Sequence, residues 1–374
     1  MHPIGGSAHL LDAGRQRVYS LDARSAWLWC SIEENRDDAE IIALFAEDFG
    51  VPLDVARNEV AGILDRLSTL LARDIDETDS VDPPVALYSG PVPARTARMR
   101  VALLGTVFDV GFPSRTLKDR FGAVMGHLVS DAAADIDVAV VEHGDGYAIV
   151  IDGKVAETCS HPSQVASQAK AAVCHAAINR TGFDGCLHAA TVRIGCTTVL
   201  VPAESGSGKS CLSLALAGAG CELMSDDLTL LSLDGPTVRG VPTASCVKSE
   251  AWALVSADHP GLRSAPTHRR ADGKRVRYLP VARPDAPPSA VGLIVFPRFR
   301  RGAAAGVTPL GPEDVLRRIL TNMLAWRARL TPELLDAMIA WVETTRSCEL
   351  TYGTSGDAVA ALTDLAAGNR EIAA

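Results

Sequence analysis

The chain is 374 residues long, 47% hydrophobic and 22% charged, with a net charge of −9. This is the composition of a globular protein with room for two or three domains. No run approaches the ~20 apolar residues of a membrane span, no basic-then-apolar start suggests a signal peptide, and nine scattered cysteines without a C-x-x-C pair point to reduced thiols in the cytosol rather than a disulfide framework or a zinc site. Residues 1–80 hold 16 acidic and 7 basic residues, which accounts for the whole excess. Such a segment is a poor surface for nucleic acid and suits a basic peptide better.

Residues 9–11 and 17–21 read as short strands around Asp12-Ala13-Gly14. Helices follow at 23–32 with Asp22 as N-cap, at 37–49 ended by Gly50, and at 52–71 with apolar positions Val55, Val60, Ile63, Leu64, Leu67 and Leu70. A hairpin and three helices make a winged-helix-like domain over 1–75. The stretch 76–96, with Pro83-Pro84 and Gly90-Pro91-Val92-Pro93, reads as a linker. Strands at 99–112, 136–141 and 146–152 and helices at 114–132 and 162–179 then give an α+β segment over 97–183. The remainder, 184–374, begins with apolar strands at 186–192 and 197–201, and continues with strands at 221–224 and 228–233. A loop-rich basic stretch at 239–290 precedes a strand at 290–296, helices at 312–328 and 332–344, a strand at 348–352 and a last helix near 357–367. The fold class expected is α/β and α+β, multidomain.

Residues 203–210 read Ala203-Glu204-Ser205-Gly206-Ser207-Gly208-Lys209-Ser210, between an apolar strand and a helix that begins with Cys211. This is a phosphate-binding loop in all but its first residue. Small residues let successive N–H groups turn inward around an anion, and the helix start adds its dipole. Lys209 would meet the outer phosphates, and the Ser210 hydroxyl would be a Mg²⁺ ligand. Ala203 stands where the pattern has Gly, at a cost of about 1 kcal/mol if the position needs a positive φ. Asp226 and Asp227 follow the next strand. One carboxylate there can hold Mg²⁺ and the other can accept a hydroxyl proton, or the pair is simply a turn. His188, in the strand before the loop, is either a core residue or part of the site.

His188, the loop at 203–210 and Asp226-Asp227 together resemble the HPr kinase/phosphorylase family. Looser similarity to HPr-kinase-like proteins of peptide-maturation clusters extends over 97–353, including Gly240-Val241-Pro242 and Glu349-Leu350-Thr351-Tyr352-Gly353. The resemblance implies an HPr-kinase-like P-loop fold and a serine kinase that uses ATP and Mg²⁺. His188 and Lys209 would then act in catalysis, with Asp226 and Asp227 sharing base and metal roles. Cys211 stands in place of that family's acidic residue, and its Arg-Gly-x-Gly segment has no counterpart here, which argues against reverse phosphorolysis and against HPr as substrate.

Residues 5–72 resemble a PqqD-like domain, through Arg17-Val18-Tyr19-Ser20-Leu21-Asp22, Ala26-Trp27-Leu28-Trp29 and Phe49-Gly50-Val51. The resemblance implies a peptide-recognition element that holds a leader as an added strand. Val18, Tyr19, Leu21, Val60 and Leu64 are either its groove or the domain's own core. Arg269, Arg270, Lys274, Arg275 and Arg277, and the group Arg298, Arg300 and Arg301, are either phosphate clamps or solvated charges.

The combined expectation is a cytoplasmic ATP- and Mg²⁺-dependent kinase of a hydroxyl, a Ser, in a ribosomally made precursor peptide, near its C-terminus as in lasso-peptide tail kinases. A homo-oligomer is compatible with this, and neither nucleic acid nor membrane is an expected partner. A kinase of a small molecule or carrier protein, and a non-catalytic ATP-binding adaptor, are the alternatives.

Overall fold

The computed structural model describes residues 2–4, 7–14, 16–34, 36–72, 87, 88, 90, 96–204, 206–270, 272–280, 282–284 and 286–369. The chain divides into two units, residues 1–84 with 329–343, and residues 85–328 with 344–374.

In the first unit, strands Ser7–Asp12 and Arg17–Leu21 form the expected hairpin, and His2–Ile4 adds a third strand against the first of them. Strand Arg17–Leu21 sits at the edge of this sheet. Helix Ala23–Glu33 starts where the Asp22 carboxylate accepts the Ser25 N–H at 2.8 Å, and Asp37 caps helix Asp38–Asp48 in the same way. Gly50, at φ +61°, lets the chain turn out of that helix. Helix Leu53–Ala72 lays Ala56, Val60, Ile63 and Leu67 on the core of Leu10, Leu21, Leu28, Ile41 and Phe45. Residues 329–343, placed by the sequence reading beyond residue 184, group with this unit. Arg329 donates to the Gly14 carbonyl at 2.7 Å, and Gln16 Nε2 donates to the Leu330 carbonyl at 3.1 Å.

The second unit holds two main sheets and a small one. Strands Ala97–Leu103, Thr106–Phe112, Ile136–His143, Gly146–Ile151 and Lys154–Cys159 make a five-stranded sheet in chain order. Helices Arg115–Met125 and Pro162–Asn179 pack on it. Their apolar faces share one core with Cys186, Leu230, Val241, Ala244, Val276 and Tyr278 from the part of the chain that follows, so 97–183 and the P-loop region are joined by burial. The larger sheet runs Thr237–Gly240, Leu228–Ser232, Gly185–Ile194, Thr197–Pro202, Leu293–Phe299, Ser347–Tyr352, Gly306–Pro309. Strand Gly185–Ile194 is its axis. Its first half pairs with Leu228–Ser232 and Met323–Trp326, and its second half with Thr197–Pro202 and Glu222–Ser225.

Three expectations need correction. The helix read over 114–132 ends at Met125 and passes into a 3₁₀ turn, Gly126–Leu128. The helix read over 312–328 stops at Thr321, because Met323–Trp326 joins the axial strand and tertiary pairing overrides helix propensity. The stretch 239–290 is not mainly loop. Ser245–Lys248, Arg275–Leu279 and His268–Arg269 form a three-stranded antiparallel sheet, and Trp252–Asp258 is a helix. The linker expected at 76–96 falls almost wholly outside the described residues.

His268 is 1% exposed and packs edge-on to Tyr278 with neither ring nitrogen hydrogen-bonded. Burial, helped by the Arg120 charge, pushes its pKa down to about 4. Below pH 6.5 the unfolded chain therefore takes up a proton that the folded chain refuses. Stability contributed by the neutral ring is complete above pH 6.5 and declines as pH falls toward 4. His268→Phe keeps the ring contact without the titration, so its urea midpoint should lose less between pH 7 and pH 5 than the wild type does. Equal losses in the two proteins would overturn this assignment.

Candidate active site

The loop after strand Thr197–Pro202 takes the shape its glycines allow. Gly206 and Gly208 have φ of +96° and +94°, and Gly208 is the N-cap of helix Lys209–Gly218. Ser207 donates from its backbone and its hydroxyl to the Glu204 carbonyl, at 3.2 and 2.8 Å, which closes the turn. Ser205 lies outside the described residues. Ala203 is buried and has no positive φ, so the departure from Gly carries no backbone strain, and its N–H bonds to the His188 carbonyl at 3.4 Å. Gly208 leaves no room for a side chain, since a Cβ there would stand 2.8 Å from the Tyr352 hydroxyl.

His188, Glu204, Gly206, Gly208, Lys209, Ser210, Cys211, Asp226 and Asp227 line a single cavity of about 230 Å³. The expected residues that are described thus come together, Ala203 and Ser207 as parts of the same loop. The Lys209 ammonium is 5% exposed, has no hydrogen-bond partner and lies 3.9 Å from Asp227 Oδ1. Burial pushes its pKa down, against the pull of Asp227 and Asp226.

The two aspartates differ sharply. Asp226 is 3% exposed and neither carboxylate oxygen has a hydrogen-bond partner. Burial and repulsion from Asp227 raise its pKa, while the nearby lysines and the Ser210 hydroxyl work the other way. Asp227 is half-exposed and lies 3.3 Å from His188 Nε2. Burial opposes its charge, but His188, Lys170 and Lys209 hold the carboxyl below the ordinary carboxylate range. A buried carboxylate with both oxygens unpartnered, beside a serine hydroxyl, is a fitting donor pair for a hard divalent cation. Among the described residues no cluster of three or more His, Cys, Asp or Glu side chains could hold a metal alone, so such an ion would arrive with most of its oxygen ligands from a nucleotide and water.

Sequence reading missed the other wall of the cavity. Cys246, Val247 and Lys248 come from strand Ser245–Lys248, and Glu250, Ala251 and Val255 from the segment after it. Gly240 permits the close approach behind Asp226, since a Cβ there would meet the Met224 carbonyl at 2.6 Å. Of the five basic residues considered between 269 and 277, only Arg270 reaches the cavity. Arg275 and Arg277 stack on Trp252, at 5.6 and 4.2 Å, and Lys274 pairs with Asp272 at 3.6 Å. Arg298 is tied to Glu349 at 3.1 Å and does not line the cavity. Lys170, on helix Pro162–Asn179, acts on Asp227 and was absent from the expectation.

In the first unit, Leu21 and Val60 are 3% and 5% exposed and belong to the domain core, because strand alternation and helical period both turn them inward. Val18 and Tyr19 are half-buried on the edge strand, and Leu64 is 38% exposed.

Residues 8–70 match the family described as Coenzyme PQQ synthesis protein D (PqqD). No curated protein matches the chain. Among solved structures, the chain is similar to the Hpr(Ser) kinase/phosphatase from Coxiella burnetii, at 15% identity over 50% of this chain and 90% of that one, with a TM-score of 0.23. Among the described residues no helix is long and apolar enough to cross a membrane.

Two substitutions test the loop. Ala203→Gly should leave nucleotide affinity unchanged and cost about 0.5–1 kcal/mol of stability, since the backbone needs no glycine freedom. A gain in affinity, measured by calorimetric titration, would contradict the geometry. Gly208→Ala should weaken nucleotide binding at least tenfold, and Tyr352→Phe in the same chain should recover part of that loss by removing the clashing hydroxyl.

Proposed function

We propose that the chain is an ATP- and Mg²⁺-dependent kinase that phosphorylates a serine hydroxyl of a ribosomally made precursor peptide, whose leader is held by the first unit. The observation that carries this reading is the convergence of a buried lysine, a buried carboxylate beside a serine, and a second carboxylate 3.9 Å from that lysine, at a phosphate-shaped loop.

Each group has a task in that reaction. The N–H groups around Gly206 and Gly208 and the start of the helix receive the phosphates, and Lys209 offsets their charge. Ser210 and Asp226 would hold Mg²⁺, which when bound would neutralise charge on the phosphate oxygens. Asp227 faces the acceptor, orients its hydroxyl and takes the proton as the acceptor oxygen bonds to the terminal phosphorus and the bond to ADP breaks. Phosphoryl transfer asks little of its base, so a carboxylate held below the ordinary range suffices. His188 keeps Asp227 in place.

The leader would pair with the outer edge of Arg17–Leu21, with Val18, Tyr19 and the exposed Leu64 offering apolar contacts. The match to PqqD over 8–70 supports this part of the reading. The acidic first 80 residues favour a leader carrying positive charge.

The test is mass spectrometry of a precursor peptide incubated with full-length protein, ATP and Mg²⁺. The peptide should gain one phosphate. Lys209→Ala should lower the rate about 100-fold or more, and Asp226→Asn should abolish the response to Mg²⁺. Removing the leader from the peptide should raise its KM about 10²-fold or more without changing kcat. An unmodified peptide, with ATP still bound, would refute the kinase reading.

A further inference from the structure

A second cavity, of about 510 Å³, lies beside the first and shares Asp227, Cys246 and Arg270 with it. Asp227 therefore stands where the two meet. The second cavity is of a size that takes a small ligand or two or three residues of a peptide. Its walls are largely apolar, with the half-exposed Leu324 among them.

One cation stands in that wall without a hydrogen-bonded partner. Lys170 is 8% exposed, and its ammonium feels the Asp227 charge with no ion pair closer than 4.0 Å. Its one close partner is the ring face of Tyr278, 5.6 Å from the nitrogen, and the Tyr278 hydroxyl is itself engaged with Ser167 at 2.9 Å. Asp227 offsets the Lys170 charge without a hydrogen bond, and because Lys170 lines the cavity an anion entering there would meet its donors. The other charges of the cavity are already matched. Asp227 has His188 and Lys209, and Arg270 has Asp272 at 3.5 Å.

Resting on the kinase reading above, we propose that this second cavity is the acceptor pocket, and that Lys170 binds a carboxylate carried by the acceptor within one residue of the hydroxyl that is phosphorylated. The carboxylate is either the end of the acceptor chain or an acidic side chain. Lys170 then selects the acceptor by its anion while Asp227 holds its hydroxyl at the boundary with the nucleotide cavity.

The test uses the full chain with ATP and Mg²⁺ and three probes: N-acetyl-L-serine, N-acetyl-L-serinamide and N-acetyl-Ser-Asp-amide. Binding is followed by ligand-observed NMR. Wild type should bind at least one of the two acids about tenfold or more tighter than the serinamide, the range of a charge-assisted hydrogen bond. The better acid identifies the source of the carboxylate. Lys170→Met should erase the preference and Lys170→Arg should keep most of it, with ATP affinity reporting that each variant is folded. Equal binding of acids and amide by wild type overturns the proposal without needing a variant. So does absence of binding by all three probes, or a preference that survives Lys170→Met. Phosphorylation of the probes is read in parallel. Transfer without an acid preference leaves the kinase reading standing and removes the pocket, whereas an acid preference without transfer does the reverse.

Discussion

Two adjacent peptide groups, those of His188 and Ala189, hold the candidate site together. The His188 N–H donates to the Asn322 carbonyl at 2.8 Å, and its carbonyl accepts from Ala203 at the root of the phosphate loop. The Ala189 N–H donates to the Asp227 carbonyl at 3.1 Å, and its carbonyl accepts the Thr229 hydroxyl at 3.0 Å. Loop, aspartate pair and the strand at 323–326 are thus each one hydrogen bond from the same point on the axial strand. A single such bond contributes only about 1 kcal/mol net, but the four together set where the phosphate loop lies relative to both carboxylates. The His188 ring adds a side-chain contact to Asp227 at the place where its own backbone fixes the strand.

That scaffold carries charges an apolar core would reject. Lys209, Asp226 and Lys170 are each less than a tenth exposed, and none is matched by a hydrogen-bonded counter-ion. Asp227 is the one carboxylate near all three, and the resulting field pulls the two aspartates in opposite directions, one up and one down. Separation of neighbouring pKa values is the usual mark of two carboxyl groups with different tasks. Stability alone would favour apolar residues at these positions. Their presence around the two cavities is best explained by ligands that complete them.

Much of this was legible in the sequence, for local reasons. The phosphate loop, its strand and its helix are contiguous, and so are the Asp226-Asp227 pair and the caps Asp22 and Asp37, whose side chains bond three residues ahead. The positions considered for a leader groove were left open between groove and core. Periodicity places an apolar residue on a face but does not say whether another element covers that face, and so Leu21 and Val60 turned out to be core. What failed was long-range pairing. Nothing near residues 323–326 announces a strand, because its partner lies about 140 residues earlier. Cys246 and Arg270 reach the cavity only through the small sheet formed by three separated segments. Lys170 sits in a helix of ordinary composition, and a lone lysine there reads as surface charge.

Lys170 also explains why residues 97–183 are more than a preceding domain. A module that served only to support the P-loop region would present an apolar face to it, and most of helix Pro162–Asn179 does so, through Val165, Ala169, Ala172, Val173 and Ala177. One stripe departs from that rule. Ser167, Lys170 and Cys174 fall at spacings of three and four, on one side of the helix, and all three line the second cavity. The apolar stripe joins the two halves of the unit, and the polar one spends part of the stability so gained on a buried cation. Helix Pro162–Asn179 thus forms one wall of the second cavity, and on the kinase reading proposed above the second unit divides into a half that holds phosphate and a half that helps choose what receives it.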